Sequence, residues 1–294
     1  MLHIFLGKSR RNQHAMEGKR QSDRLTAQQK ASEGVLGIFD EGAQNHDKKV
    51  ADNAKQAMRK LEAEYPMFTF RYRKELSKKE INESLQKINR ELGQTLFVQS
   101  AKIIPDGGLI EVRDDYGIWR VVVVSEAKFQ GKDIENIKAG VKVGKHSNQD
   151  LMVAGNAIER AHKNIKELAN FMLFESHFPY ILFLEGSNFL THNIEVQRPN
   201  GETYELHYDN GALNRLDRLT AANYGMKINT NLCKNRFIFC NNQTIMLQAV
   251  SIYTQGDGEH WRDNEMVAIM LDIAKTSLQM LGKDLFKQLT YKNQ

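Results

Sequence analysis

Two carboxylates and a lysine occur within one short stretch of the chain, at a spacing that suits metal-dependent chemistry. Asp106 lies in a Pro-Asp-Gly-Gly sequence, and Glu126 and Lys128 stand two positions apart at the end of an apolar, β-branched run. Carboxylate oxygens are the ligands that Mg²⁺ prefers, and a neighbouring lysine can position water or neutralise developing charge. We therefore interpret Asp106, Glu126 and Lys128 as candidate catalytic residues, with the two carboxylates as candidate Mg²⁺ ligands.

A β-hairpin has to bring these side chains together. The density of Val, Ile and Trp in residues 109–124 predicts two strands, joined by a turn at Asp114-Asp115-Tyr116-Gly117. Strand positions two apart point to the same face, so Glu126 and Lys128 project together while Ala127 faces away. The hairpin also brings Asp106 alongside Glu126. This is the Asp…Glu-x-Lys arrangement of a metal-dependent nuclease, and two adjacent carboxylates without a metal should bind protons more readily than isolated acids.

The same residues also have an ordinary structural interpretation. Pro-Asp-Gly-Gly is a good turn sequence, and Glu-x-Lys is common at a solvated strand edge. Short motifs often match by chance. Taken alone, the motif leaves the nuclease and the purely structural interpretations open.

Composition predicts one α/β domain. The chain has 294 residues, of which 41% are hydrophobic and 26% charged, with only four prolines and no biased tract. Cys233 and Cys240 are too few for a disulfide framework, and no apolar run approaches the length of a membrane span. We therefore expect a soluble, cytoplasmic protein without a membrane partner.

The positive charge is concentrated at the N-terminus. Residues 1–30 hold seven basic and two acidic residues, an excess equal to the whole net charge of +5. A basic arm of this kind favours a polyanion partner, although a solvated, disordered terminus is the alternative for residues 1–15. Met16 is a possible start codon, so we assign residues 1–15 to a disordered or upstream extension and 16–294 to the single domain.

Hydrophobic periodicity predicts a mixed sheet flanked by helices. Residues 194–207 alternate around Asn200-Gly201, which predicts a β-hairpin; we interpret it as polar on both faces and as an arm projecting at about 193–208. The segment after Lys128 is basic and weakly periodic, as in a surface arm. Amphipathic helices are predicted at 47–65, 77–92, 158–175 and 261–281, and extended segments at 68–73, 109–124, 180–185 and 237–250.

One predicted helix begins with residues that suit base recognition. Glu159 and Arg160 follow a stretch of small residues that would let the backbone approach DNA closely. A carboxylate accepts from the amino groups of bases, and a guanidinium donates to N7 and O6 acceptors. A capped, solvated helix start with Asn156 as the N-cap is the alternative. Arg215 and Arg218 have a comparable alternative, a surface pair with Asp217.

From about Met16 to about Thr290 the chain resembles the EcoRI family of type II restriction endonucleases. The runs that carry this resemblance are Phe70-Arg71-Tyr72-Arg73, Pro105-Asp106-Gly107-Gly108, Glu126-Ala127-Lys128, Gly155-Asn156-Ala157-Ile158-Glu159-Arg160, and the longer stretches at 183–191, 213–225 and 251–258. The resemblance implies the PD-(D/E)xK fold, a mixed five-stranded sheet flanked by helices, with projecting arms that wrap DNA.

The resemblance also implies a function. It is that of a homodimeric, Mg²⁺-dependent enzyme of a restriction-modification system, alongside a cognate DNA methyltransferase, that cuts the palindrome GAATTC in double-stranded DNA after the G and leaves 5′ overhangs. Asp106, Glu126 and the Ala127 carbonyl would hold the metal, and Lys128 would be the lysine of the family motif. The implied DNA-recognition set is Met152, Val153, Ala154, Gly155, Asn156, Ala157, Glu159, Arg160, Arg215 and Arg218.

One departure lies inside the implied recognition segment. Val153 stands where a relative in the family carries alanine, so the resemblance implies the outer base pair less firmly than the rest of the recognised site. Two alternatives remain: a PD-(D/E)xK nuclease with a different site or a DNA repair role, and a DNA-binding protein without catalysis. The segment from Met152 to Arg160 argues against the first. An intact Asp106, Glu126 and Lys128 argue against the second.

Overall fold

A computed structural model describes residues 41–93, 98–140, 155–175, 177–208, 210, 235–240, 243–248 and 250–282 of the chain. The helices in these ranges are α1 (Glu41–Glu64), α2 (Lys78–Ile88), α3 (Asp133–Lys138), α4 (Gly155–Phe171) and α5 (Asp263–Leu281). The strands are β1 (Phe70–Arg73), β2 (Leu76–Ser77), β3 (Lys102–Ile103), β4 (Gly108–Arg113), β5 (Trp119–Phe129), β6 (Tyr180–Glu185), β7 (Ile194–Gln197), β8 (Thr203–Leu206), β9 (Asn235–Cys240), β10 (Gln243–Gln248) and β11 (Ser251–Thr254).

The central feature is a five-stranded mixed sheet in the order β1-β4-β5-β6-β11. The β1–β4 and β4–β5 pairs are antiparallel, whereas the β5–β6 and β6–β11 pairs are parallel. The predicted mixed sheet and the α/β class are confirmed. None of the helices within the described ranges combines the length and apolarity that crossing a bilayer would take.

Helices cover both faces of this sheet. Side chains of α1 and α5 form one buried layer with β5 and β6, including Val50 and Ala127. Side chains of α2 and α4 form the other, including Ile165 and Tyr180. Because successive side chains of β5 alternate between these layers, Ala127 faces α1 whereas Glu126 faces α4.

The turn that carries Asp106 is tight and depends on glycine. The Gly107 N–H donates to the Ser125 carbonyl at 2.9 Å, which fastens the turn to β5. A side chain at Gly107 would collide with Ser125 and Val50. Gly108 has φ +70, and a Cβ there would lie 2.6 Å from the Arg73 carbonyl oxygen. Close packing therefore fixes the position of Asp106 beside β5.

Two surface predictions need correction. The β7–β8 hairpin has the predicted turn, but it is not polar on both faces, since Val196 and Leu206 are buried. These two side chains lie on one face of the hairpin, because Leu206 is paired with Ile194 and Val196 is two positions further along β7. They pack with Ile134 and Ile137 of α3, so the segment after Lys128 contains a short helix with a buried face instead of a wholly exposed arm.

A buried glutamate ties three elements together at the carboxyl end of β6. Glu185 is 4% exposed, and its Oε2 lies 2.9 Å from Nδ1 of His46 on α1. Nδ1 of His260 contacts its Oε1, and the Trp261 N–H donates to Oε2 at 3.2 Å. Burial would raise the pKa of Glu185, but these hydrogen bonds outweigh burial and lower the pKa to about 2.

Replacing Glu185 with glutamine is expected to lower the free energy of unfolding by about 2 kcal/mol at pH 7, because a buried, hydrogen-bonded charge is lost. The folded pKa lies below the ordinary value, so the contribution is complete above about pH 4.5 and is lost as the pH falls through about 2. Urea unfolding at pH 7, 4 and 3 measures the difference. The exposed Glu259→Gln is the control, and equal effects of the two variants would refute the assignment.

Candidate active site

The three predicted catalytic side chains meet at the carboxyl end of β5. The Lys128 ammonium lies 2.6 Å from Asp106 Oδ2 and 2.5 Å from Glu126 Oε1. It also donates to the Ala127 carbonyl oxygen at 2.7 Å. The arrangement predicted from strand periodicity is therefore present, with Asp106 brought in by the adjacent turn.

Asp106 is held against β5 by the backbone as well as by the lysine. The Ala127 N–H donates to Asp106 Oδ2 at 3.2 Å. This bond directs the Ala127 N–H towards Asp106 while the carbonyl of the same residue accepts from Lys128. One residue of β5 thus contributes both backbone groups to the site.

Glu126 is the most enclosed member of the site, at 1% exposure. Asn164 of α4 donates to both of its carboxylate oxygens, each at 3.1 Å. The Tyr180 hydroxyl, on the neighbouring strand β6, donates to Oε2 at 3.2 Å. Donors from two further elements therefore fix the orientation of this carboxylate.

The electrostatics favour a cation. Burial raises the pKa of Glu126; Lys128 lowers it, Asp106 raises it further, and the result is about 7. The metal-free site therefore favours a bound proton on Glu126, with burial as the largest cause and repulsion from Asp106, the predicted cause, as a smaller one. Burial would lower the pKa of Lys128, but Glu126 and Asp106 outweigh burial and hold it above the usual range, so the amine is charged.

These residues fit a hard divalent cation. Three oxygens, from Asp106, Glu126 and the Ala127 carbonyl, converge on one positive group, the Lys128 ammonium. Carboxylate and carbonyl oxygens are the donors that Mg²⁺ accepts. Within the described part of the chain no group of three or more His, Cys, Asp and Glu side chains is arranged to hold a metal. A cation here would therefore depend on two carboxylates and a carbonyl.

Half of the implied DNA-recognition set lies outside the described residues. Met152, Val153, Ala154, Arg215 and Arg218 fall outside the described residues. The remainder lie in the first turns of α4: Gly155, Asn156, Ala157, Glu159 and Arg160.

The start of α4 differs from the expected extended segment. The helix begins at Gly155, so residues 155–157 are helical and Asn156 is not its N-cap. The physical reason is that Ile158 is in phase with the buried side chains of Ala161, Ile165 and Leu168, which extends the apolar stripe to the first turn. Arg160 is exposed on the same helix.

The two arginines of β1 have protein partners. Arg71 Nε donates to Glu111 Oε2 at 2.6 Å, and Arg73 Nη1 donates to Glu111 Oε1 at 3.2 Å. Arg73 also donates to both carboxylate oxygens of Glu80. Glu111 is 1% exposed, so these arginines neutralise a buried charge.

Three residues of the site were not predicted from the sequence. Asn164 and Tyr180 bond Glu126, and Asp47 of α1 interacts electrostatically with Asp106, Lys128 and Glu126. Burial, followed by repulsion from Asp106, raises the pKa of Asp47 to about 7. Asp47 precedes the buried Val50 by three residues, so its place on an inward-facing helix stripe was the available signal.

Comparison with known proteins places the chain in a family. Residues 32–288 match the family model described as restriction endonuclease EcoRI. The chain is similar to the Type II restriction enzyme EcoRI of Escherichia coli, with 61% identity over 277 residues that cover 94% of this chain and 100% of that protein. It is also similar to the Type II restriction enzyme RsrI of Cereibacter sphaeroides, with 46% identity over 269 residues that cover 92% of this chain and 96% of that protein. The resemblance is confirmed, and the chain belongs to the EcoRI family of type II restriction endonucleases.

Proposed function

We propose that the enzyme is a homodimeric, Mg²⁺-dependent deoxyribonuclease that recognises GAATTC in double-stranded DNA and hydrolyses the phosphodiester after the G, leaving 5′ overhangs. The observation that supports the chemistry is the convergence of Asp106, Glu126 and the Ala127 carbonyl on the Lys128 ammonium. The family supports the substrate class.

Asp106, Glu126 and the Ala127 carbonyl would hold the metal. Bound there, Mg²⁺ would supply positive charge to a phosphate oxygen and lower the pKa of a bound water. The same three oxygens contact Lys128 in this structure. The ammonium must therefore leave at least part of this oxygen set when a divalent cation occupies it.

Lys128 would act on the phosphate or on the attacking water. A charged ammonium donates hydrogen bonds, so it can orient water or neutralise the charge that develops on the phosphate oxygens. Removing a proton from water requires the uncharged amine. In the metal-free site, Asp106 and Glu126 oppose that form, since they hold the pKa of Lys128 above its usual range.

Sequence recognition is assigned to the start of α4 and to the residues near it in sequence. Glu159 would accept from base amino groups and Arg160 would donate to ring acceptors. The segment Met152–Ala157 would follow the bases, and Arg215 and Arg218 would complete the recognition set. Val153 would lie in this segment, and its replacement of alanine bears on the outer base pair.

The proposed dimer follows from the symmetry of the site. A twofold dimer meets each half of a palindrome with the same contacts. The basic segment of residues 1–30 would neutralise phosphates without reading sequence. A methyltransferase of the same restriction-modification system would protect the host DNA without contacting this enzyme, and both would work in the cytoplasm.

A pair of plasmids tests this function. One carries a single GAATTC and the other has that sequence scrambled, and each is incubated with enzyme in Mg²⁺ or in EDTA. We expect linear product only from the first plasmid and only with Mg²⁺. Equal cutting of both plasmids would indicate a different site or a repair nuclease, and binding without cutting would indicate a DNA-binding protein; either result contradicts the proposal.

A further inference from the structure

Asn164 lies between the two working parts of the molecule. It belongs to α4, whose first turns carry Glu159 and Arg160, and its amide nitrogen donates to both oxygens of Glu126 at 3.1 Å. An α-helix rises about 1.5 Å per residue, so Asn164 is about 6 Å along the axis from Arg160. Residues four apart also lie on the same side of a helix. The candidate base-reading turn and the metal-ligand carboxylate are therefore joined through one helix and one side chain.

The far half of α4 is anchored to the body of the protein. Lys78 of α2 forms an ion pair with Glu167, and the Ser84 hydroxyl donates to the Phe171 carbonyl at 2.8 Å. Ile165 and Leu168 are buried against the sheet. Arg160, in the first turns, is exposed. Asn164 lies between these first turns and the anchored half of the helix.

Among the described residues, Glu126 also accepts a hydrogen bond from outside α4 and Lys128. The Tyr180 hydroxyl on β6 bonds Oε2, so Glu126 is oriented from the recognition helix by Asn164 and from the sheet by Tyr180. When a cation displaces Lys128, these two donors are the remaining orienting groups among those described. Of these two donors, only Asn164 moves with α4, so only its hydrogen bonds to Glu126 depend on the position of that helix.

We propose that Asn164 is a positioning residue that couples base recognition at the start of α4 to the orientation of Glu126, and thereby contributes to discrimination between the recognised site and altered sites. This inference rests on the proposed function of Glu159, Arg160 and Glu126. Correct docking of the first turns holds α4 where Asn164 orients the carboxylate, and incorrect docking displaces the amide. The coupling acts on the cutting step, and DNA affinity does not depend on it.

The test compares Asn164→Ala with Tyr180→Phe. Single-turnover cleavage in Mg²⁺ is measured on a GAATTC duplex and on a duplex with one base pair changed, and binding is measured by gel shift in Ca²⁺. Both variants remove a hydrogen bond to Glu126, so both should cut GAATTC about tenfold more slowly or worse. Only Asn164→Ala should also lower the ratio of the two cleavage rates, by about tenfold, with binding to GAATTC within threefold of wild type.

One further variant and a thermal unfolding measurement separate coupling from damage to the fold. Asn164→Gln keeps the amide and should recover part of the discrimination, whereas a variant that merely unfolds loses its thermal transition and its binding. If Asn164→Ala slows cutting of both duplexes by the same factor, the ratio of the two rates is unchanged. Asn164 would then only support Glu126, and the proposal would be overturned. A wild-type enzyme that does not prefer GAATTC would instead refute the proposed function.

Discussion

Replacing Lys128 with alanine is expected to lower the cleavage rate by about 10³-fold while leaving sequence-specific DNA binding within threefold of wild type. The lysine supplies the positive charge in the cutting site, and removing one such group typically costs about 10²–10³ in rate. It does not belong to the recognition set. Its removal also frees Asp106 and Glu126 from their internal cation, so a divalent cation should bind at least as well.

Two assays measure this division of labour. A gel shift in Ca²⁺ reports binding to a GAATTC duplex, and a single-turnover reaction in Mg²⁺ reports cutting. Lys275→Ala is the matched control, because this lysine pairs with Glu64 at the last residue of α1, whereas Asp47 near the start of that helix is the residue close to the site. Loss of binding in Lys128→Ala, or cutting at more than a tenth of the wild-type rate, would contradict the assigned role.

Replacing Glu126 with glutamine is expected to lower cleavage by at least about 10³-fold, because one of the two charged metal ligands is lost. The amide keeps the size of the side chain, so the enclosed position at 1% exposure is still filled. In a Ca²⁺ titration, low concentrations of the ion should strengthen DNA binding by wild type but not by the variant. A variant that cuts at a near wild-type rate in saturating Mg²⁺ would exclude Glu126 as a ligand.

In EDTA, the stability of Glu126→Gln relative to wild type should also depend on pH. In the folded protein burial raises the pKa of Glu126 to about 7, above its ordinary value of 4.5, so the proton-bound form contributes stability below about pH 4.5 that is lost as the pH rises through about 7. Glutamine does not ionise. The stability of the variant relative to wild type should therefore rise between pH 5 and pH 8 in thermal unfolding. A difference that is constant or falls over this range would contradict the raised pKa.

Strand periodicity was sufficient to predict how the three candidate catalytic side chains are arranged. An alternation of two positions placed Glu126 and Lys128 on one face, and the turn at Gly107 and Gly108 brought Asp106 to the same end of the strand. These residues are close in sequence, so local geometry determines their arrangement. The apolar run of β6 similarly predicted the central buried strand that pairs with β5.

The supporting residues required knowledge of how distant elements pack. Asn164 belongs to a helix whose periodicity identifies the buried face but not the strand residue opposite each position. Tyr180 opens an apolar run in which an aromatic residue is unexceptional, and Asp47 depends on how α1 crosses the sheet. Glu111 gave a usable signal, since a carboxylate inside an apolar strand needs cationic partners and Arg71 stands opposite it.

Cleavage of an end-labelled duplex containing one central GAATTC is the most direct test of the central claim, that Asp106, Glu126 and Lys128 cut a palindrome read elsewhere in the chain. With Mg²⁺ we expect both strands to be cut after the G, no product in EDTA, and no product from duplexes altered at the inner base pairs. Duplexes altered at the outer pair show whether Val153 changes the site. Cutting at another position, or equal cutting of a duplex without GAATTC, would contradict the claim.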